Sequence, residues 1–377
     1  DDRRLRDNRG PMQALRLYAG PKARQHIEQH GLRPQDVGTV PAAAGGPKGL
    51  ILGPLDRFIF GHWLTQSAQP VHLVGASIGA WRMATACLQG TASALERLER
   101  DYIAQHIALP SGQKRATAAQ ISRHFRGNLQ AFFGGRVGEV LQHPRYQLHV
   151  VASRGRRLLA GDGPWRTPLG YLGAFVANAV HRRALGGWLE RVVFSTPAAD
   201  GGTRPDAMLP FETADLRTRQ APLREDNFMD ALQASCSIPF MLQPVQGIAG
   251  APPGPYWDGG ITDYHLHLRY RSNPAAPLVL YPHFQQSVVP GWLDKSWKRR
   301  HRSSPALDHM VVIAPDPAWI KTLPNGKLPD RSDFTHYGQD INSRQRVWSG
   351  ATAAAAQLAD EFAQWLERPD LSRIEAL

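Results

Sequence analysis

Cysteine is scarce: the 377-residue chain has two, Cys87 and Cys236. Two cysteines cannot build a disulfide framework, and no cysteine pair has metal-ligand spacing, so a reducing compartment is expected. Long apolar runs are missing as well. No stretch approaches the ~18 apolar residues that a spanning helix needs. The expected location is therefore cytoplasmic or peripheral to a membrane, with a removed N-terminal signal left open. Acid is short relative to base, 32 Asp plus Glu against 44 Lys plus Arg, for a formal net charge of +12. Such a surface favours anionic partners (nucleic acid, acidic lipid headgroups, acidic substrates) without choosing among them. No recognised nucleic-acid motif occurs, so nucleic acid is not an expected partner. No Gly-x-Gly-x-x-Gly occurs either, and Lys48 is followed by Gly49 where a Walker loop needs Ser or Thr. Repeats of fixed period and low-complexity blocks are absent too. The 30 prolines and 35 glycines are spread along the chain and imply many loops.

Hydrophobic residues make up 42% of the chain, enough for a sizeable core. Short apolar runs that read as strands begin at Val37, Val71, Tyr146, Arg191, Pro277 and His309. Between several of them lie helical patterns, over about 21–30, 50–63, 92–109, 116–133, 169–185 and 227–236, and a long alanine-rich helix is expected over about 339–365. Residues 1–36 otherwise read as irregular. Strand–helix alternation argues an α/β fold, a three-layer α/β/α sandwich with a mostly parallel central sheet. One domain over 1–377 is expected, with the motif-bearing core at about 37–282 and 283–377 as an extension packed on it. In such sheets ligands bind at the carboxyl ends of strands.

Two glycine-rich turns fall at such ends. Gly75-Ala76-Ser77-Ile78-Gly79 lies between an apolar strand and a helix. This is the nucleophile-elbow pattern, a sharp turn that presents a serine near a helix N-terminus. Gly75 and Gly79 are expected because a Cβ would crowd the neighbouring backbone. The other turn, Gly45-Gly46-Pro47-Lys48-Gly49, offers backbone N–H groups to an anion or an oxyanion. Pro47 has none to give, so Gly45, Gly46, Lys48 or Gly49 would be the donors. Further on come Ala234-Ser235-Cys236-Ser237-Ile238-Pro239-Phe240 and Asp258-Gly259-Gly260, the latter led in by Tyr256 and Trp257.

In this order the four motifs, over about 37–282, resemble the patatin-like phospholipase family. That resemblance implies a lipid acyl hydrolase, a phospholipase-like serine esterase working with a Ser–Asp dyad and no catalytic histidine. Ser77 would be the nucleophile and Asp258 its base, with Gly45, Gly46 and the Lys48 N–H as the oxyanion hole and no cofactor or metal. The family's turn reads Asp-Gly-Gly-Gly-x-Arg-Gly, whereas here Ala43 and Ala44 stand for the acid and first glycine and Lys48 for the arginine. Other readings stay open: a polyester depolymerase or thioesterase of the same fold, or a catalytically weak lipid-binding member. The 15 histidines leave a Ser–His–Asp triad as an alternative, although no position singles one out. Asp200, in Asp200-Gly201-Gly202, is a competing acid.

Three more features bear on partners. His265 and His267 would share one face of a strand, with no third ligand in view, and a surface or supporting role is expected. The segment from Pro290 to Arg302 mixes tryptophan with a basic cluster, which suits either a solvated loop or an anionic bilayer surface. The Arg154–Arg157 cluster and the apolar stretch from Trp165 to Trp188 could line an acyl-chain pocket or form a lid.

Overall fold

The computed structural model describes residues 12–113, 115–197 and 208–377. Its apolar runs gather into one sheet of eleven strands. These are β1 (Leu15–Ala19), β2 (Val37–Ala42), β3 (Val71–Ala76), β4 (Tyr146–Gly155), β5 (Leu189–Ser195), β6 (Thr218–Pro222), β7 (Val245–Gln246), β8 (Pro255–Asp258), β9 (Leu278–Pro282), β10 (Met310–Pro315) and β11 (Ile374–Ala376). Their lateral order is β11-β1-β10-β9-β2-β3-β4-β5-β6, with β8 added to β4 and β7 to β8. The run β10-β9-β2-β3-β4 is parallel throughout. Every residue of β2, β9 and β10 is buried, as strands covered on both faces require. Helices pack against the sheet in a three-layer α/β/α arrangement.

Register explains how the two ends of the candidate site meet. β3 pairs with β4 from Val71↔Tyr146 to Ala76↔Val151 and then stops, because the chain turns away at Ser77. The opposite edge of β4 is occupied by β5 from His149 to Gly155. β8 pairs antiparallel with Ala152, Ser153 and Arg154, so it takes the slot beside β4 that β3 vacates. It enters from the far end, and its last residue, Asp258, opposes Ala152, one step beyond the end of β3.

Several expectations change in detail. Residues 1–36 contain strand β1, which pairs antiparallel with β10 and parallel with β11. The 50–63 stretch divides into a 3-10 turn (Gly46–Leu52), an α-helix (Gly53–Phe58) and a wide π turn (Ile59–Trp63). The long terminal helix is two, Ile341–Ala354 and Ala356–Glu367. His265 and His267 are not on a strand: the segment is irregular, with Leu266 at φ +52°. His265 is buried rather than at the surface, and lies 3.2 Å from His283. His267 bonds the Val288 carbonyl and Ser304. Asp200 falls outside the described residues.

Candidate active site

Ser77 caps the helix Ile78–Ala86 with φ +57° and ψ −128°. Such a conformation costs an L-residue about 1–3 kcal/mol and persists only where neighbours over-determine it. Here the glycines make room for the turn. A Cβ on Gly79 would lie 2.0 Å from the Ala42 carbonyl oxygen, so the elbow helix rests directly on the end of β2. The helix is also tied sideways by Arg82, which bonds both carboxylate oxygens of buried Asp56 at 2.7 and 2.8 Å. The Ser77 N–H donates to Ser235 Oγ at 2.9 Å, and that hydroxyl donates to the Val151 carbonyl at 2.6 Å. Ser235 therefore staples the strained residue to β4.

The Ser77 hydroxyl donates to Asp258 Oδ2 at 2.7 Å. The other carboxylate oxygen, Oδ1, accepts from the Gly260 N–H at 2.7 Å, which fixes the plane of the group. The backbone of Asp258 is held as well, its N–H by the Ser237 carbonyl and its carbonyl by the Ser153 hydroxyl, both at 2.9 Å. The turn that follows is anchored by Asp263, which bonds buried Arg191 at 2.7 and 2.6 Å. Ser77 and Asp258 are both buried. Burial raises the pKa of the Asp258 carboxyl. Arg331, the Ser77 hydroxyl, the Gly260 N–H and Lys295 pull the other way without cancelling it. No histidine among the described residues bonds Ser77 or Asp258.

The glycine turn lies against this pair. Ala44 donates its N–H to the Tyr264 carbonyl at 2.9 Å, and a Cβ on Gly260 would meet the Ala44 methyl at 2.6 Å. Gly46, at φ +57°, starts the 3-10 turn. The N–H groups of Gly45 and Gly46 donate to no described residue. The Lys48 N–H lies inside the 3-10 turn, while its ammonium sits 5.4 Å over the Phe284 ring, its pKa lowered by burial. Ala43 and Ala44 are fully buried, so alanine at these two positions leaves no acid to neutralise there.

A cleft of about 280 Å³ opens onto Asp258, lined also by Ala44, Ile238, Pro239, Gly260, Ile261, Tyr264, Trp292 and Arg331. The sequence singled out Ser77, Asp258 and the turn, but gave no role to Tyr264 or Arg331 and no separate role to Ser235, and it placed Lys295 only in a basic segment suited to a solvated loop or a bilayer surface. Ser235 belongs to the Ala234–Phe240 motif. Arg331 stands in a charged loop more than seventy residues past Asp258, with no pattern to mark it. Among the described residues no group of three His, Cys, Asp or Glu is placed to hold a metal ion.

Beside the cleft, the helix Arg166–Val180 buries Thr167, Gly170, Tyr171, Ala174 and Asn178 and turns Trp165, Leu169, Leu172, Val176 and Val180 outward. Trp165 and Val180 are each 79% exposed. Tyr171 packs on Trp257, the residue before Asp258, and on exposed Phe240. No described helix is long and apolar enough to cross a membrane.

The family model described as patatin-like phospholipase matches residues 45–268, more than half of the chain. No curated protein matches it.

Proposed function

Starting from the fact that the chain belongs to the patatin-like phospholipase family, a family of lipid acyl hydrolases, we propose that it cleaves carboxylic ester bonds through Ser77 and Asp258, residues 1–377 forming a single catalytic domain. The observation that carries this reading is the 2.7 Å hydrogen bond from a strained, buried serine to a buried carboxylate of raised proton affinity. A serine hydroxyl needs a base within hydrogen-bond reach, and a desolvated carboxylate can be that base.

In the first step Ser77 Oγ attacks the ester carbonyl carbon and its proton passes to Asp258 Oδ2. The carbonyl oxygen becomes an oxyanion facing the N–H groups of Gly45 and Gly46, with Lys48 N–H as a third candidate donor. Each such donor typically contributes about 10²–10³ in rate. As the tetrahedral species collapses, the bond to the alcohol oxygen breaks and Asp258 returns the proton to it, leaving an acyl-serine. Water then attacks the acyl carbon, giving its proton to Asp258, and Ser77 leaves with that proton as the acid departs. Oδ1 stays on the Gly260 N–H throughout, so Oδ2 alone handles protons.

The outward apolar stripe of Arg166–Val180 supports docking on an anionic lipid surface. Trp297, Lys298 and Arg299 are exposed and follow the Trp292–Asp294 turn that packs on this helix. Arg300 bonds the Ala179 carbonyl at its end. Apolar side chains would enter the headgroup boundary while cations meet its charge.

The test is turnover of short-chain acyl esters by the wild type and by Ser77→Ala. Turnover abolished by the substitution supports the reading. Equal turnover by both proteins refutes it. Wild-type protein that binds vesicles but cleaves nothing would favour a lipid-binding member over an enzyme.

A further inference from the structure

One side of the glycine turn faces a cation from far along the chain. A Cβ on Gly46 would lie 3.3 Å from Arg331 Nε, 3.6 Å from Arg331 Cγ and 3.7 Å from the Tyr102 hydroxyl. Arg331 therefore reaches the backbone unit whose N–H is a candidate oxyanion donor. It also lines the cleft that opens onto Asp258. Its guanidinium makes no salt bridge and no hydrogen bond to any described residue. The acids beside it in sequence are engaged by Lys327, Asp330 at 2.9 Å and Asp333 at 2.7 Å. The turn's own cation, Lys48, does not line the cleft and rests over the Phe284 ring instead.

The Arg331 loop is fastened to that same turn. Buried Asp333, two residues on, accepts from Trp348 Nε1 at 2.8 Å. Trp348 is itself fully buried and clusters with Leu50, a residue of the 3-10 turn Gly46–Leu52. Phe334 meets the Trp348 ring edge-on at 5.3 Å. The helix Ile341–Ala354, which carries Trp348, packs on the 3-10 turn. Arg331 and Gly46 are thus held from one buried cluster, and a charge fixed in place needs no reorganisation when a reaction calls on it. Arg331 lies beyond the segment matched to the family, residues 45–268.

The chemistry has a use for such a cation. When Ser77 attacks, its proton neutralises Asp258 and a negative charge appears on the carbonyl oxygen. One unit of charge therefore moves from the carboxylate to the oxyanion. A cation nearer the giving end opposes that move, and one nearer the receiving end favours it. Arg331 is too far from Asp258 for an ion pair, while its Nε lies against Gly46 at the receiving end. We propose that Arg331 is a catalytic residue whose guanidinium donates to the oxyanion alongside the Gly46 N–H. The inference rests on the hydrolase reading of the same site. A guanidinium suits the role because it stays charged at every working pH and offers several N–H donors in one plane.

The experiment compares wild type, Arg331→Gln and Arg331→Lys on a soluble acyl ester across pH. Arg331→Gln should lower kcat about 10²–10³-fold, the effect of one lost oxyanion donor, with KM little changed. Removing the cation should also raise the pKa of Asp258, because Arg331 lowers it more than any other group does. The acid limb of kcat/KM should then move to higher pH. Lys295, the other cation acting on Asp258, is the same in all three proteins. A stronger base combined with a slower reaction is the signature of a lost oxyanion contact. Arg331→Lys should keep the limb nearer its wild-type place and restore part of kcat. Exposed Lys321→Gln should alter neither.

Arg331→Gln with kcat within about twofold of wild type overturns the proposal. So does a lowered kcat with the acid limb unmoved and no recovery in Arg331→Lys, which is the result of a collapsed loop. If the wild type cleaves no soluble ester, the hydrolase reading fails separately. The contact is then judged by the rate at which an alkyl fluorophosphonate labels Ser77, since attack at phosphorus places the developing charge on the phosphoryl oxygen. Labelling slowed about tenfold or more in Arg331→Gln, the scale of a lost hydrogen bond to a charged group, supports it. Equal rates, or no labelling of either protein, overturn it.

Discussion

Replacing Ser235 by alanine should damage catalysis more than the small change in volume suggests. The hydroxyl accepts from the Ser77 N–H at 2.9 Å and donates to the Val151 carbonyl at 2.6 Å. Both backbone groups are buried, and each left without a partner costs about 1–3 kcal/mol. Ser77 meanwhile stores about 1–3 kcal/mol in its positive-φ conformation, a strain that its neighbours must hold. With the staple gone, the cheapest response is for Ser77 to relax toward ordinary φ, which swings Oγ away from Asp258 Oδ2. Ser235→Ala should therefore lose about 2–4 kcal/mol in urea unfolding, within the range of buried polar deletions. Its kcat on a soluble ester should fall about a hundredfold or more, as misplacement of a reacting group does, with KM little changed. The same variant should react correspondingly slowly with a serine-directed phosphonate. Stability within half a kcal/mol of wild type together with kcat within twofold would refute this reasoning.

Asp258→Asn should lower kcat about 10²–10⁴-fold, the range of a lost general base, yet melt no lower than wild type at pH 7. The sign follows from the raised pKa of Asp258. A fold that prefers the neutral acid is destabilised by its ionisation above that pKa, and the cost vanishes as pH falls through it. Thermal melts of the two proteins should therefore converge under acid conditions, and a variant that melts well below wild type at pH 7 would contradict the shift. For the same reason, kcat/KM should fall on acidification through a pKa above the ordinary carboxylate range, and a profile flat down to that range would exclude Asp258 as the base. Leu172→Asp with Val176→Asp should lower cleavage of anionic vesicles at least tenfold relative to a soluble ester, since burying each apolar side chain contributes about 1.5–3 kcal/mol. An unchanged ratio would remove that helix from the lipid interface.

The sheet was legible where the chain is most constrained. β9 and β10 are continuous apolar runs, and β2 and β3 are interrupted only by Thr39 and His72, because both faces are covered, and that pattern survives in sequence. β1 was not legible: Leu15–Ala19 is five residues long with Arg16 second among them, and its place is settled by pairing with β10, nearly three hundred residues away. The break at Ala355 was hidden because an alanine run carries no side chain that marks where a helix stops. At the site, Ser77, Asp258 and the glycine turn could be read because tight turns demand glycine at fixed offsets from the functional residue. Arg331 could not, because nothing local separates a cation that lines a cleft from one in water. His265 and His267 were given a strand they do not occupy, since alternating histidine and leucine imitates its period while the backbone at Leu266 turns to positive φ.

The most direct test of the central claim is intact-mass analysis after exposure to an alkyl fluorophosphonate, with wild type, Ser77→Ala and Asp258→Asn treated in parallel. The account predicts a single adduct on the wild type, mapped by peptide digestion to Ser77, absent in Ser77→Ala and formed far more slowly in Asp258→Asn. An adduct that persists in Ser77→Ala, or one that forms on Asp258→Asn at the wild-type rate, would contradict it.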